Sequence, residues 1–171
     1  MTVTISNSTN NGNVVGKRKF VGGLVGEIYS NMNITMKISN STNNGAVFGN
    51  RLFVGGFIGY IDTNNSMAMT ISNSVNNGNV IGTYGYVGGF IGYVSSSQTD
   101  YIALEITNSA NKDSVSATNG MSCGFVCVDP EENVNVKTTI TNSINKGSVD
   151  AATNGYGFTN IITEARNVVS M

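Results

Sequence analysis

Thr2-Val3-Thr4-Ile5-Ser6-Asn7-Ser8-Thr9-Asn10-Asn11-Gly12 opens the pattern that decides the fold, because its centre keeps returning. Ile5-Ser6-Asn7-Ser8 recurs as Ile38-Ser39-Asn40-Ser41 and Ile71-Ser72-Asn73-Ser74, then as Ile106-Thr107-Asn108-Ser109 and Ile140-Thr141-Asn142-Ser143. The isoleucines are separated by 33, 33, 35 and 34 residues. A second anchor, Leu24, Phe57, Phe90, Phe125 and Phe158, keeps the same pace. Self-similarity at a fixed period of this length marks stacked repeats. Five units, about 2–33, 34–66, 67–101, 102–135 and 136–171, fill residues 1–171 as a single repeat domain.

Each unit reads as three extended segments. In the first, apolar and polar residues alternate, so Val3 and Ile5, or Met69 and Ile71, face a core while Thr4 and Thr70 face out. Asn10-Asn11-Gly12, Asn43-Asn44-Gly45 and Asn76-Asn77-Gly78 read as tight turns, since Asn and Gly tolerate positive φ. The second segment is Val14-Val15-Gly16 and its equivalents. The third is rich in glycine: Phe20-Val21-Gly22-Gly23-Leu24-Val25-Gly26, Phe53-Val54-Gly55-Gly56-Phe57-Ile58-Gly59 and Tyr86-Val87-Gly88-Gly89-Phe90-Ile91-Gly92. Cys123 and Cys127 stand at the phases of Gly22 and Gly26. On one extended strand their Cα atoms would lie ~13 Å apart, beyond the ~7 Å limit of a disulfide, so two buried free thiols are expected.

Identical residues at fixed phase are what parallel coils require, because each coil lays its strands on the one before. The expected fold is all-β, a parallel β-solenoid of about five coils with one 33–35-residue repeat per coil. Inward positions then form ladders, with Ile5 over Ile38, Ile71, Ile106 and Ile140. Asn7, Asn40, Asn73, Asn108 and Asn142 have the same parity and are expected to form an inward asparagine ladder, bonded to one another. Antiparallel hairpins around the Asn-Gly turns explain those turns but not two anchors in phase. The outward Thr4, Lys37, Thr70, Glu105 and Thr139 row suits an exposed sheet face and is too interrupted by charge for an ice-binding plane.

Composition narrows the function. There are 26 Asn, 21 Gly, no His and no Trp; charged residues make up 11% and the net charge is −1. That balance argues against a basic nucleic-acid-binding surface, and no apolar run approaches the ~20 residues of a membrane span. Without His, the commonest general base and zinc ligand is missing. The acids occupy different phases of the repeat, whereas glycoside hydrolysis needs a converging carboxylate pair. No catalytic, cofactor-binding or metal site is assigned, and no cofactor is expected. Asp129, Glu131 and Glu132 are close enough in sequence to hold Ca²⁺, although a solvated acidic loop is the simpler reading. Tyr60 and Tyr93 share a phase, as do Arg18 and Arg51 beside Lys17 and Lys19, so these residues are candidate glycan contacts. The sequons at Asn7 and Asn40 are expected to stay bare if those side chains point inward.

The Asn-Ser, Asn-Gly and Gly-Gly-[Leu/Phe]-[Val/Ile]-Gly elements resemble the GLUG-motif repeats of large bacterial and protist surface proteins. Gly23-Leu24-Val25-Gly26, Gly56-Phe57-Ile58-Gly59 and Gly89-Phe90-Ile91-Gly92 carry the resemblance, which fades to Gly124-Phe125-Val126-Cys127 and Gly157-Phe158-Thr159-Asn160. It implies a β-solenoid stretch of an adhesin-like protein and carries no catalytic residue. The expectation is a non-catalytic structural or adhesive module, extracellular or at the cell surface and an excerpt of a longer protein. Expected partners are host-cell or matrix glycans or proteins, and neighbouring repeats or end-to-end copies of itself. A carbohydrate-binding module using the tyrosine stripe and basic loop is the alternative. A polysaccharide-acting β-helix enzyme is a remote third.

Overall fold

A computed structural model describes residues 1–96, 101–128, 135–159, 164–166 and 169–170. Every regular element among them is a β-strand. The alternating segment forms the first sheet, from strands Thr2–Ser6, Ile34–Ser39, Met67–Ser72, Ile102–Thr107, Val136–Thr141 and Glu164–Arg166, stacked in chain order. All pairings are parallel, and Ile5, Ile38, Ile71, Ile106 and Ile140 are successive register partners. The chain is therefore a parallel β-solenoid. The isoleucine ladder is as expected, and the hairpin arrangement is excluded.

Each coil continues through a two-residue strand (Thr9–Asn10 in the first), a short strand (Val14–Gly16), another (Phe20–Gly22) and a six-residue strand (Val25–Ser30). The glycine-rich segment is thus not one strand. It breaks at Gly23-Leu24, and again at Gly56-Phe57 and Gly89-Phe90. The break turns Leu24, Phe57, Phe90, Phe125 and Phe158 into the main core. There the phenylalanines stack at centroid distances of 4.6, 4.8 and 5.3 Å, among Ile38, Ile58, Ile61, Met69 and Ile71. A second core holds Val21, Val47, Val54, Val80, Val87 and Val115, between the third and fourth strands of the coils. Fully burying such a side chain contributes about 1.5–3 kcal/mol.

The asparagine ladder exists, but one position family away from the expected one. Asn7, Asn40, Asn73, Asn108 and Asn142 are exposed and hold φ of 51, 50, 48, 48 and 48°. The strand ends at Ser6, and the left-handed residue after it turns the chain, so counting parity through Asn7 gives the wrong side. Asn7 and Asn40 therefore present their sequons to solvent, correcting the expectation that they are covered. The next residue points in instead: Ser41, Ser74, Ser109 and Ser143 are buried, and each accepts a hydrogen bond from the backbone N–H of the serine one coil below.

The ladder runs through Asn10, Asn43, Asn76, Asn111 and Asn145. Each Nδ2 in the row donates to the Oδ1 of the next asparagine at 2.8 Å. The same nitrogens donate to the carbonyl two residues on, at Gly12, Gly45, Gly78, Asp113 and Gly147. Every buried amide is thereby satisfied within the wall, which is what burial of a polar group demands. The Asn-Asn-Gly turns also work differently from expectation, for none of their residues has positive φ. Gly45 is needed for space, since a β-carbon there would sit 1.9 Å from the Gly12 carbonyl oxygen.

The two cysteines form a disulfide with Cα atoms 5.5 Å apart, not two free thiols. Cys123 ends one strand and Cys127 lies in the strand Val126–Val128 beyond the Gly124-Phe125 bend. The ~13 Å separation assumed a straight strand that the bend removes.

Candidate binding surface

Two outward features were singled out by the sequence, and the structure treats them differently. Tyr60 and Tyr93 are register partners, with Glu27 in the same column one coil below. They do not form an open stripe. Tyr93 is only 4% exposed, and the Tyr60 ring stacks on Phe20 at 4.5 Å while Tyr93 stacks on Phe53 at 4.4 Å. Tyr86 closes the group at 4.6 Å from Tyr93. These five rings tie the strands Phe20–Gly22 and Phe53–Gly55 to the six-residue strands Ile58–Thr63 and Ile91–Ser96 one coil above. Aromatic packing of this kind adds about 0.5–1.5 kcal/mol per pair beyond area burial. Burial raises the Tyr60 pKa above 10.0; a hydrogen bond with Ser95 opposes this, and the charges of Asp62 and Glu27 reinforce it. The stripe is packing, and sugar contact through Tyr93 is ruled out by its burial.

The basic feature is open. Residues 17–19 link the strands Val14–Gly16 and Phe20–Gly22, and residues 50–52 link Val47–Gly49 and Phe53–Gly55. Both links have three residues between bracketing registers Gly16↔Gly49 and Phe20↔Phe53, so Arg18 and Arg51 stand one above the other. In the next coil the same stretch is absorbed into one long strand, Val80–Gly88, whose registers Gly82↔Gly49 and Tyr86↔Phe53 set Tyr84 above Arg51. Tyr84 in turn pairs with Asn119.

Lys17, Arg18, Lys19 and Arg51 line a notch of about 360 Å³. Lys19 and Arg51 also line an adjoining hollow of about 460 Å³ with Leu52 and Tyr84. Lys19 Nζ lies 6.0 Å from the Phe20 ring centroid, a weak cation–π contact. Among the described residues none of the four cations forms an ion pair. Leu52 is 39% exposed and sits at φ 50°, where a branched apolar residue is disfavoured by roughly 1–2 kcal/mol. Its counterpart one coil up is Gly85 at φ 85°, where a β-carbon would meet the Leu52 carbonyl oxygen at 2.0 Å. Sequence reasoning found the cations but missed Tyr84 and Asn119. Their signal was the repeat spacing, 33 residues from Arg51 to Tyr84 and 35 from Tyr84 to Asn119.

Among the described residues no three His, Cys, Asp or Glu gather as a metal site. Asp129, Glu131 and Glu132 lie outside the described residues.

No family model and no curated protein matches the chain. Among solved structures it is similar to a Bacteroides ovatus protein described as a "putative immunoglobulin A1 protease". The identity is 15%, the match covers 100% of this chain and 71% of that one, and the TM-score is 0.49. A likeness at that level carries no activity across.

Proposed function

We propose that the chain is a non-catalytic structural and adhesive module of an extracellular or cell-surface protein, of the GLUG-repeat kind. The observation that carries this reading is where the recurring residues go. The repeated isoleucines, serines, asparagines and phenylalanines join one coil to the next, and the recurrent glycines admit the neighbouring backbone. Repetition in this chain serves stacking, and stacking serves length and presentation.

Two further features support it. A disulfide persists in oxidising surroundings such as those outside the cell. Val3, Ile5, Leu24, Val25 and Ile28 on the first coil are only partly covered, giving a face on which further coils or a second copy can stack.

Labelling intact native cells with a membrane-impermeant amine reagent tests the location. Lys17 and Lys19 are exposed and should be modified without lysis. Modification only after lysis would overturn the surface assignment.

A further inference from the structure

We infer that the outward column Arg18, Arg51, Tyr84 and Asn119, flanked by Lys17 and Lys19, is a binding site for an acidic oligosaccharide whose sugars carry carboxylate or sulfate groups. The inference rests on the surface-module reading for where such a ligand is met.

Charge is the first argument. The chain has 9 Lys and Arg in 171 residues and a net charge of −1, yet four of those cations surround one notch. Surface cations are ordinarily interspersed with acids, which limits local fields. Here no carboxylate among the described residues pairs with them. Two guanidiniums on one notch, each with a planar fork of donors, suit carboxylate or sulfate oxygens bound two at a time.

Geometry is the second. Register places the four residues in one column, at about 4.8 Å per coil. Along the row the chemistry changes from guanidinium, twice, to a phenol ring and then to an amide. Tyr84 is 55% exposed, unlike Tyr93, so its ring can meet the apolar face of a sugar. Asn119 is exposed beside it and can donate to and accept from sugar hydroxyls. Such a row fits an elongated chain of rings bearing negative charge at one end.

Backbone strain is the third. Leu52, at φ 50° and exposed, lines the hollow together with Arg51 and Tyr84. Unfavourable backbone held in place at an exposed position accompanies ligand sites more often than bare scaffold. The next coil keeps a positive φ at the same phase, but there the residue is Gly85, so what is particular to the notch is a leucine held where glycine is at ease.

The test is calorimetric titration of the full chain with four probes: a heparin oligosaccharide, an oligogalacturonate, a neutral dextran oligosaccharide and an oligothymidylate. The expected result is binding of at least one acidic sugar at low salt, weakening as salt is added, with none for dextran. Binding of both acidic sugars assigns the site to carboxylate, and heparin alone assigns it to sulfate. Arg18→Ala with Arg51→Ala should weaken binding about tenfold or more. Tyr84→Ala should weaken it while leaving the salt dependence intact. All three side chains are exposed, so circular dichroism of the variants should match the parent. The inference is overturned if neither acidic sugar binds, if the arginine variant binds as well as the parent, or if oligothymidylate binds as tightly as the sugars. A chain found on intact cells that ignores both sugars sinks the site alone. A chain that binds them but stays inside the cell sinks the surface reading alone.

Discussion

A β-carbon on Gly56 would lie 2.8 Å from the side-chain amide carbon of Asn76 and 2.1 Å from the Gly89 carbonyl oxygen. Gly23 stands in the same relation to Asn43, Gly89 to Asn111, and Gly124 to Asn145. The two most conspicuous elements of the repeat, Asn-x-Gly and Gly-Gly-Phe, are thus parts of one device. The amide ladder runs up the wall, and the second chain bend passes so close to it that no side chain fits.

Gly56→Ala is therefore expected to be severe, costing more than about 3 kcal/mol or preventing folding, because backbone on the far side cannot yield. Gly12→Ala is the control: its β-carbon would meet nothing nearer than Asn10 Oδ1 at 3.9 Å. Equal denaturation midpoints for the two variants would refute the close-packing account.

Asn76 donates to both Gly78 O and Asn111 Oδ1 and accepts from Asn43, all at 2.8 Å and with no exposure. Asn76→Ala orphans buried partners on both sides and should cost about 2–4 kcal/mol, several times the worth of an ordinary hydrogen bond. Asn10→Ala, at the partly exposed end of the row, should cost about 1 kcal/mol or less. Urea denaturation of both variants checks the ordering, and a larger loss at Asn10 would contradict it.

Tyr60 supplies a pH signature. Burial holds its hydroxyl above 10.0 in the fold, while the unfolded chain releases that proton near 10.0. Below the unfolded value both states are protonated and nothing changes. Above it the unfolded state binds fewer protons, so stability falls as pH rises toward the raised folded value. Tyr60→Phe removes this contribution. Denaturation midpoints for parent and variant should fall with different slopes at alkaline pH, and parallel curves would count against a buried Tyr60.

Much of this architecture was legible because period and phase are properties of the sequence. The isoleucine column needed only the step between Ile5 and Ile38 and the alternation around them. The asparagine ladder needed the position of a corner, which alternation alone does not report. Asn7 ends the run and takes a left-handed φ, so the side chain that turns inward is Ser8, followed by Asn10. The disulfide failed for a related reason, since extended spacing was carried through the Gly124-Phe125 bend. Tyr93 shared a phase with Tyr60, but phase says nothing about the depth of the crevice between strands that receives both rings. The basic notch was half visible, as cations one period apart. Its aromatic and amide members emerged only when the column was followed into the next two coils.

The vertical amide row holds the coils in register, and hydrogen exchange of asparagine side-chain NH₂ groups followed by NMR probes it directly. Asn43, Asn76 and Asn111 should exchange orders of magnitude more slowly than the exposed Asn40 and Asn73, with opening tied to global unfolding. Exchange of Asn43, Asn76 and Asn111 as rapid as that of Asn40 and Asn73 would contradict the ladder and the stacked scaffold built on it.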